Sequence, residues 1–527
     1  MAYTGITAKI PLGEFGLLTD IAQDKIPPGA LIRANNVCFE NGSVQKAPGG
    51  LRWNASALPA GLVAVHQWRP DVNTRRMIAV TSTGSIYRGQ DREFGAAINT
   101  GIASILTPNC AFAEGGAETA GRDKKLFLFT EGATNPYVLT PSGNTFELIE
   151  SPAADWDNPQ TYPKFGLVHR NRMWAFAGFT AYASDTGDHE NFATNGLAEP
   201  IYPGEGGELR GAYVYKGRLF AFKDGGFTYM LNDSSTTEAE WYWDKIANNF
   251  DLAAPNAVTE ALDDMIAGNS TGTLTSYAAS QKLGSIEAAD IIQGMQFESF
   301  LRGSTSKVGV PFQHVLYYAE KKLLLATYRS AYYTYNDMLI VTDFARNDRL
   351  RPAFWIKGSP QCLALYKDEN GIERPMYGDK DGYLILMDRE DRTEGGTAYV
   401  GEFQIPHLDF SHLGQEFSAA NKHFDHLSVQ YSPESTGNLS CDYYIDGKYI
   451  DTISFPMVQF TEPQLDVLLL STDRLAQGNT ESALKRIRGT GRTFSARFYQ
   501  SGSNQSFQIS AVTVFFRPGG HGAQKAT

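Results

Sequence analysis

A polar, mostly basic pair leads into an apolar run seven times along this chain, in NTRRMIAV, RDKKLFLF, HRNRMWAF, YKGRLFAF, ALDDMIAG, AEKKLLLA and GIERPMYG. The lead-ins end at Arg76, Lys125, Arg172, Arg218, Asp264, Lys322 and Arg374, at intervals of 49, 47, 46, 46, 58 and 52 residues. Each run is followed within a few residues by a turn and a second apolar or aromatic stretch: GSIYRG, NPYVL, FTAYAS, GFTYM, GTLTSY, MLIVTDF and GYLILMD. The pattern predicts one hairpin per unit. A lone small sheet cannot bury both faces and must stack against neighbours, so a repeat of 40 to 50 residues points to radial blades. The expectation is a mainly β chain with a β-propeller of six to seven blades. The fifth unit (Met265, Ile266 before Gly268) and the last are the weakest matches, because Pro375 removes a ladder hydrogen bond and favours an edge.

The repeat divides the chain. Residues 1–60 lie outside it and form an N-terminal docking segment with Asn35-Asn36-Val37, Gly42-Ser43-Val44 and Pro48-Gly49-Gly50, read as strand, turn, strand. Asn41-Gly42 is a tight hairpin signal, since both central positions of that turn need positive φ. Residues 61–389 form the propeller, with Asp155 to Pro163 and Asp233 to Asn249 as connecting loops. An insertion near 276–305, helical in part around Ile286 to Ile292, accounts for the long fifth interval. Residues 390–527 change character: HLSVQYSP, LSCDYYIDGKYIDTISF, FSARFYQSG and SFQISAVTVFFRPGG alternate at period two, predicting a C-terminal β-sandwich-like domain with Asp446-Gly447 as a second tight turn.

Composition sharpens this. At 527 residues more than one core is expected, and 51 glycines, 26 tyrosines and 31 phenylalanines favour short strands joined by tight turns. The formal net charge of -12, with no Lys/Arg block, argues against a direct grip on nucleic acid but suits a wall past which DNA slides. Cys38, Cys110, Cys362 and Cys441 have no CxxC spacing and read as reduced, buried hydrophobes, which suits synthesis in a reducing cytoplasm. The N-terminus lacks a basic-then-apolar leader and no 18-residue apolar stretch occurs, so neither a standard secretion signal nor a membrane span is expected.

Chemistry-bearing motifs are sparse. The sequence holds no GxxxxGK[ST], strand-linked GxGxxG, HExxH or GxSxG. His423, Asp425 and His426, with His407, Asp409 and His412 upstream, carry ligand-type groups, but strand alternation would put His426 opposite His423 and Asp425. Gly378 to Asp388 (GDKDGYLILMD) lacks the oxygen spacing of a calcium loop. Ser184 to Phe192 (SDTGDHENF) is like the aspartate-box turn of sialidase-type propellers, a bracing device in which Ala183 stands where a hydroxyl is wanted. Trp174, Trp241, Trp243 and Trp355 suit inter-blade packing better than sugar stacking, and no carboxylate pair can be singled out for glycosidase work. The reading is a non-enzyme, with no catalytic, cofactor-binding or metal-binding residue assigned.

Taken in order, NNVCFENGSVQKAPGG, VHRNRMWAFAGFTAYASDTGDHENF, YYAEKKLLLATY, RLRPAFW and RPMYGDKDGYLILMD resemble the tail nozzle or tail hub (tail tubular protein B-like) family of short-tailed, podovirus-type bacteriophages, over nearly the whole chain. The matching positions are Asn36-Val37, Gly42 and Pro48-Gly49 before the propeller, then His169, Arg172, Ser184, Asp185, Gly187 and Asp188 in a middle blade. The resemblance implies a structural virion protein: a homo-oligomer, usually a hexamer, below the tail adaptor protein. Such a ring encloses the DNA exit channel without sequence-specific binding and supports tail fibre or spike proteins. It would be made in the host bacterial cytoplasm and reside in the virion tail. The alternatives are a carbohydrate-binding or carbohydrate-active propeller and a monomeric cellular scaffold.

Overall fold

The computed structural model describes residues 5–19, 21, 25–40, 42–71, 74–98, 109–116, 124–194, 196–248, 250–270, 272–279, 314–330, 332–345, 350–432, 437–457, 481–503 and 505–519. The chain is mainly β: among the described residues, a ring of seven small antiparallel sheets is joined to a two-sheet sandwich. The segment expected to be helical around Ile286 to Ile292 lies outside the described residues.

Blades 1 to 4 are each four consecutive strands. Blade 1 is Leu62–Trp68, Arg76–Thr81, Ile86–Gln90 and Glu93–Ala97; blade 2 is Ala111–Gly115, Lys125–Phe129, Tyr137–Leu139 and Glu147–Leu148. Blade 3 is Phe165–His169, Arg172–Ala177, Thr180–Ala183 and Leu197–Pro200, and blade 4 is Leu209–Tyr215, Arg218–Lys223, Phe227–Asn232 and Tyr242–Asn248. The stretch from Asp233 to Asn249, expected as a loop, thus carries blade 4's outer strand, which buries Trp243 against Trp174. Blade 5 has three strands among the described residues, Val258–Ala261, Asp264–Gly268 and Leu274–Ser276.

The apolar runs that carry the repeat are the second strands of the blades, and each is apolar because both its faces are covered. In blade 1, Met77 and Ala79 pack with Leu384 and Met376 of blade 7, while Ile78 and Val80 pack with Leu126 and Leu128 of blade 2. Phe127 and Phe129 of blade 2 then meet Met173, Trp174 and Phe176 of blade 3. The blade 7 to blade 1 contact closes the ring, and the Gln67 side-chain amide brackets it by donating to the Lys367 carbonyl and accepting from the Lys367 amide, both at 2.8 Å. The polar lead-ins are turns. Arg170-Asn171, Lys216-Gly217 and Leu262-Asp263 all have positive φ, with His169 opposite Arg172, Tyr215 opposite Arg218 and Ala261 opposite Asp264.

Blades 6 and 7 are finished from elsewhere in the chain. Blade 6 is Val315–Tyr318, Leu323–Tyr328, Met338–Asp343 and Arg351–Trp355; its outer strand pairs in parallel with Arg33–Asn35. That strand pairs in turn with Gly401–Gln404, so the blade runs on through Phe494–Gln500, Asn438–Ile445 and Lys448–Pro456 as one nine-stranded sheet. Blade 7 is Pro360–Lys367, Glu373–Asp379 and Leu384–Arg389, and its fourth strand is Gly49–Arg52 from the N-terminal segment. Pro375 sits before the pairing with Leu384–Arg389 begins at Met376, so it interrupts only one side of the ladder.

The sandwich's second sheet contains Glu481–Gly491, Lys422–Ser432 and Gln508–Pro518, extended along the last strand by Ile6–Pro11 and by the hairpin Val37–Glu40 and Ser43–Lys46. Gly42 has φ +73° in that hairpin, and Asp446 and Gly447 have +48° and +75° in the other tight turn. The N-terminal residues therefore place strands in both sandwich sheets and in blade 7. One continuous core follows, from Leu324 and Ile340 of blade 6 through Ala34 to Phe403, Phe498, Val429 and Val514.

Candidate functional site

Where the N-terminal segment, blade 7 and residues 390–401 meet, the chain buries an unusual concentration of charge. Lys46 is fully buried, donating to the Gly502 carbonyl at 3.0 Å, with its ammonium 4.7 Å from the Tyr399 ring centre. Lys357 and Glu394 form a buried ion pair at 2.9 Å, and Tyr377 donates its hydroxyl proton to Glu394 at 2.6 Å. Arg392 donates to the Lys46 carbonyl at 3.1 Å, Lys357 to the Pro48 carbonyl, and Tyr399 to the Ala47 carbonyl. Lys46 thus lies near two further cations, Arg392 and Lys357. Burial, reinforced by Arg392 and Lys357, pulls the Lys46 ammonium down to about 8. The contacts of Lys46, Ala47 and Pro48 with Lys357, Arg392, Tyr399 and Gly502 tie residues 46–48 to the second half of the chain, so the cluster locks the closing strand in place.

A second tie secures the segment to blade 6. The Arg351 guanidinium binds Asp343 at 2.6 Å, both buried, and donates to the Gly13 carbonyl at 2.8 Å. Asn36 donates from its side chain to the Val400 carbonyl at 2.7 Å and accepts from the Ile356 amide at 2.7 Å.

The family-like positions in blade 3 form a bracing network. His169 Nε2 meets Asp233 of the neighbouring blade at 2.7 Å, Arg170 meets the same carboxylate at 2.7 Å, and Arg172 bonds the Ser184 carbonyl and Glu238. Ser184 accepts from the Met173 amide at 3.0 Å, Asn191 donates to Asp185 at 3.0 Å, and Gly187 takes φ +80°. These residues hold turns and join blades 3 and 4.

The other residues weighed for chemistry have structural surroundings. A β-bulge between Phe424 and His426 turns Asp425 and His426 outward together with His423, contrary to simple alternation. Asp425 is then held by Arg517 at 2.8 and 2.9 Å, His423 by Thr490 at 2.8 Å, and His426 lies against Phe515. Asp409 accepts from the Ser411 amide and hydroxyl, and burial lowers the His407 and His412 imidazoles. Among the described residues no group of three or more His, Cys, Asp or Glu is placed to hold a metal ion. In Gly378 to Asp388, Asp379 accepts from the Asp381 and Tyr383 amides to close a turn. Trp174 stacks on Trp241 and meets Trp243 edge-on, and Trp355 donates to the Val37 carbonyl at 2.9 Å.

The centre of the ring holds a cavity of about 440 Å³ where the inner strands of blades 2 to 5 converge, lined by Phe112, Leu167, Val168, Tyr213 and Val214. Its wall is apolar. Asn256 reaches across to the Cys110 carbonyl at 3.3 Å, linking blade 5's approach to blade 2. Among the described residues no helix is long and apolar enough to cross a membrane.

No family model matches the chain, and no curated protein matches it. Among solved structures it is similar to BBS1N in complex with ARL6DN, at 10% identity over 63% of this chain and 94% of that one, TM-score 0.38. It is also similar to the WD40 β-propeller domain of Doa1, at 9% identity over 65% and 97%, TM-score 0.41. A third likeness is to the extracellular domain of a one component system from B. thetaiotaomicron, at 10% identity over 79% and 48%, TM-score 0.38. All three superpose below a TM-score of 0.5, so the blade count and strand order stand on this chain's own pairing.

Proposed function

We propose that this chain is a structural subunit, a tail nozzle or hub protein of a short-tailed bacteriophage, six copies of which form a ring around the DNA exit channel. The observation that carries the reading is the weld: one nine-stranded sheet passes from blade 6 through Arg33–Asn35 into the sandwich, giving two lobes with a shared core. A subunit that must keep its shape while a filament passes gains from lobes that cannot hinge, because an ordinary inter-domain contact lets them move. The residues that resemble the phage family, His169, Arg172, Ser184 and Asp185, brace the fold in a manner suited to a building block.

In this proposal DNA runs through the hole between copies, because the cavity of about 440 Å³ between blades 2 to 5, bridged by Asn256 to the Cys110 carbonyl, is far smaller than a duplex needs. Head-to-tail contacts close such a ring without a further fastening. With a net charge of -12 on each chain, a lumen of acidic character would displace few counterions from passing DNA. The outer faces of the blades remain for adaptor and fibre or spike proteins.

The test is mass photometry with negative-stain imaging of the purified chain, alone and mixed with tail adaptor rings. The expected result is a closed ring of six 57.9 kDa chains in at least one condition. A monomer under both conditions overturns the proposal.

A further inference from the structure

We propose that the tyrosine-rich loop between the second and third strands of blade 6 is a binding platform for a neutral saccharide. This goes beyond the ring assignment and does not depend on it. Tyr332 is 85% exposed and Tyr333 48%, in a chain whose other tyrosines are mostly covered, and Tyr335 lies beside them with its ring centre 5.1 Å from that of Tyr333. The loop is built to hold them. Ser330 donates from its amide and hydroxyl to the Asp337 carboxylate at 2.7 and 2.8 Å, closing the base. Buried Asn336 and Gln361 then exchange side-chain and backbone bonds, with Asn336 donating to the Gln361 carbonyl at 3.1 Å and Gln361 to the Asn336 carbonyl at 2.8 Å. From blade 7 the Lys380 ammonium stands 5.7 Å from the Tyr335 ring centre.

Rigid tyrosines offer flat area and a hydroxyl at little entropic cost, and a braced loop removes most of the ordering penalty on binding. The chemistry of the patch narrows the ligand. The large exposed hydrophobics of this loop are all aromatic, whereas a protein-docking core mixes aromatic with aliphatic side chains. Single-stranded nucleic acid also stacks on aromatics, but it needs a basic track for its phosphates. Here the two cations of the patch, Arg329 and Lys380, stand among three carboxylates, Asp337, Asp379 and Asp381, with Lys380 paired to Asp381 at 2.8 Å. A sugar ring presents C–H faces to stack on tyrosine and hydroxyls to bond Tyr OH groups and Lys380, with no charge to repel.

The experiment is saturation-transfer NMR and calorimetric titration of the full chain with maltohexaose, chitohexaose and a dextran fragment, and with a thymidine decanucleotide as the charged counterpart. At least one neutral oligosaccharide is expected to bind, and the Tyr332→Ala/Tyr333→Ala variant to bind it at least about tenfold more weakly. Its melting temperature should be unchanged, since both side chains are exposed. Failure of all the oligosaccharides to bind at millimolar concentration, undiminished binding by the variant, or tyrosine-dependent binding of the oligonucleotide alone overturns the proposal. Binding is read whatever the assembly state, so its failure is separate from failure of the ring.

Discussion

Blades 1 to 4 and blades 6 and 7 are built from similar strands but by opposite chain logic. Each of the first four closes its own sheet from consecutive residues, so its contacts are local. Blades 6 and 7 recruit Arg33–Asn35 and Gly49–Arg52 from more than 300 residues away, and blade 6 continues into the sandwich. Local sheets can open singly, whereas a sheet shared by distant segments opens only when the whole molecule does. The lesson is that the ring is closed, and the two lobes joined, on one side only.

The largest effect that separates the two regions comes from a matched pair of glycines. A Cβ at Gly49, in blade 7's closing strand, would overlap the Asp391 and Thr393 carbonyl oxygens, while one at Gly95, in blade 1's outer strand, has the Arg88 carbonyl at 3.8 Å as its nearest neighbour. Gly49→Val is expected to cost about 4 kcal/mol in denaturant unfolding, and Gly95→Val to change stability by about 0.5 kcal/mol or less. Equal effects would erase the distinction.

Comparable in size is the buried pair. Glu394→Ala strands Lys357 among cations and is expected to cost about 3–5 kcal/mol. The exposed pair Lys367–Glu373, at 3.1 Å on the same blade, should yield about 0–1 kcal/mol when Glu373 is replaced by Ala. Urea midpoints of the two variants measure the contrast.

The limits of sequence legibility follow the same division. The second strands, such as RMWAFA and LLLATY, are buried at every position and announce themselves as apolar runs. The outer strands Glu93–Ala97 (EFGAA) and Leu197–Pro200 (LAEP) are largely exposed and carry no such signal, so each blade reads as a hairpin although it has up to four strands. The closing strand GGLR shows its place in blade 7 in no local signal: its two glycines are required by the close approach of Asp391 and Thr393 to Gly49 and of Ile385 and Glu394 to Gly50. Likewise His423, Asp425 and His426 could not be assigned faces correctly, because simple alternation does not foresee the bulge at Asp425, which is present in the pairing with both neighbouring strands. The buried Lys46 cluster was equally hidden, since Lys46, Lys357 and Glu394 are distant in sequence and each looks like an ordinary surface charge.

Acid titration gives a smaller effect, at the foot of blade 6. Burial pulls the His314 imidazole down to about 4, against 6.5 for the free group. The folded state therefore favours the neutral ring: this contribution is complete above pH 6.5, falls as the unfolded chain alone takes up a proton, and is lost below pH 4. The difference amounts to about 3 kcal/mol. Unfolding of the protein and its His314→Gln variant across pH 7 to 4 should show the variant losing less stability over that window; parallel curves would contradict it. The smallest effect is expected in blade 5, where exposed Leu262 takes φ +48° in a tight turn. Leu262→Asn should gain about 0.5–1 kcal/mol, seen as a raised melting temperature.

The weld itself is tested most directly by native-state hydrogen exchange at three amides: Ile32, bonded to the Gln404 carbonyl at 2.9 Å, Asn36, to Phe354 at 2.7 Å, and Trp53, to Leu384 at 2.7 Å. If distant segments close the ring and fuse the lobes, all three exchange only through global unfolding, with the same free energy as the sandwich core. Rapid exchange at these amides while blades 1 to 4 stay protected would show an N-terminal segment that merely rests on the surface.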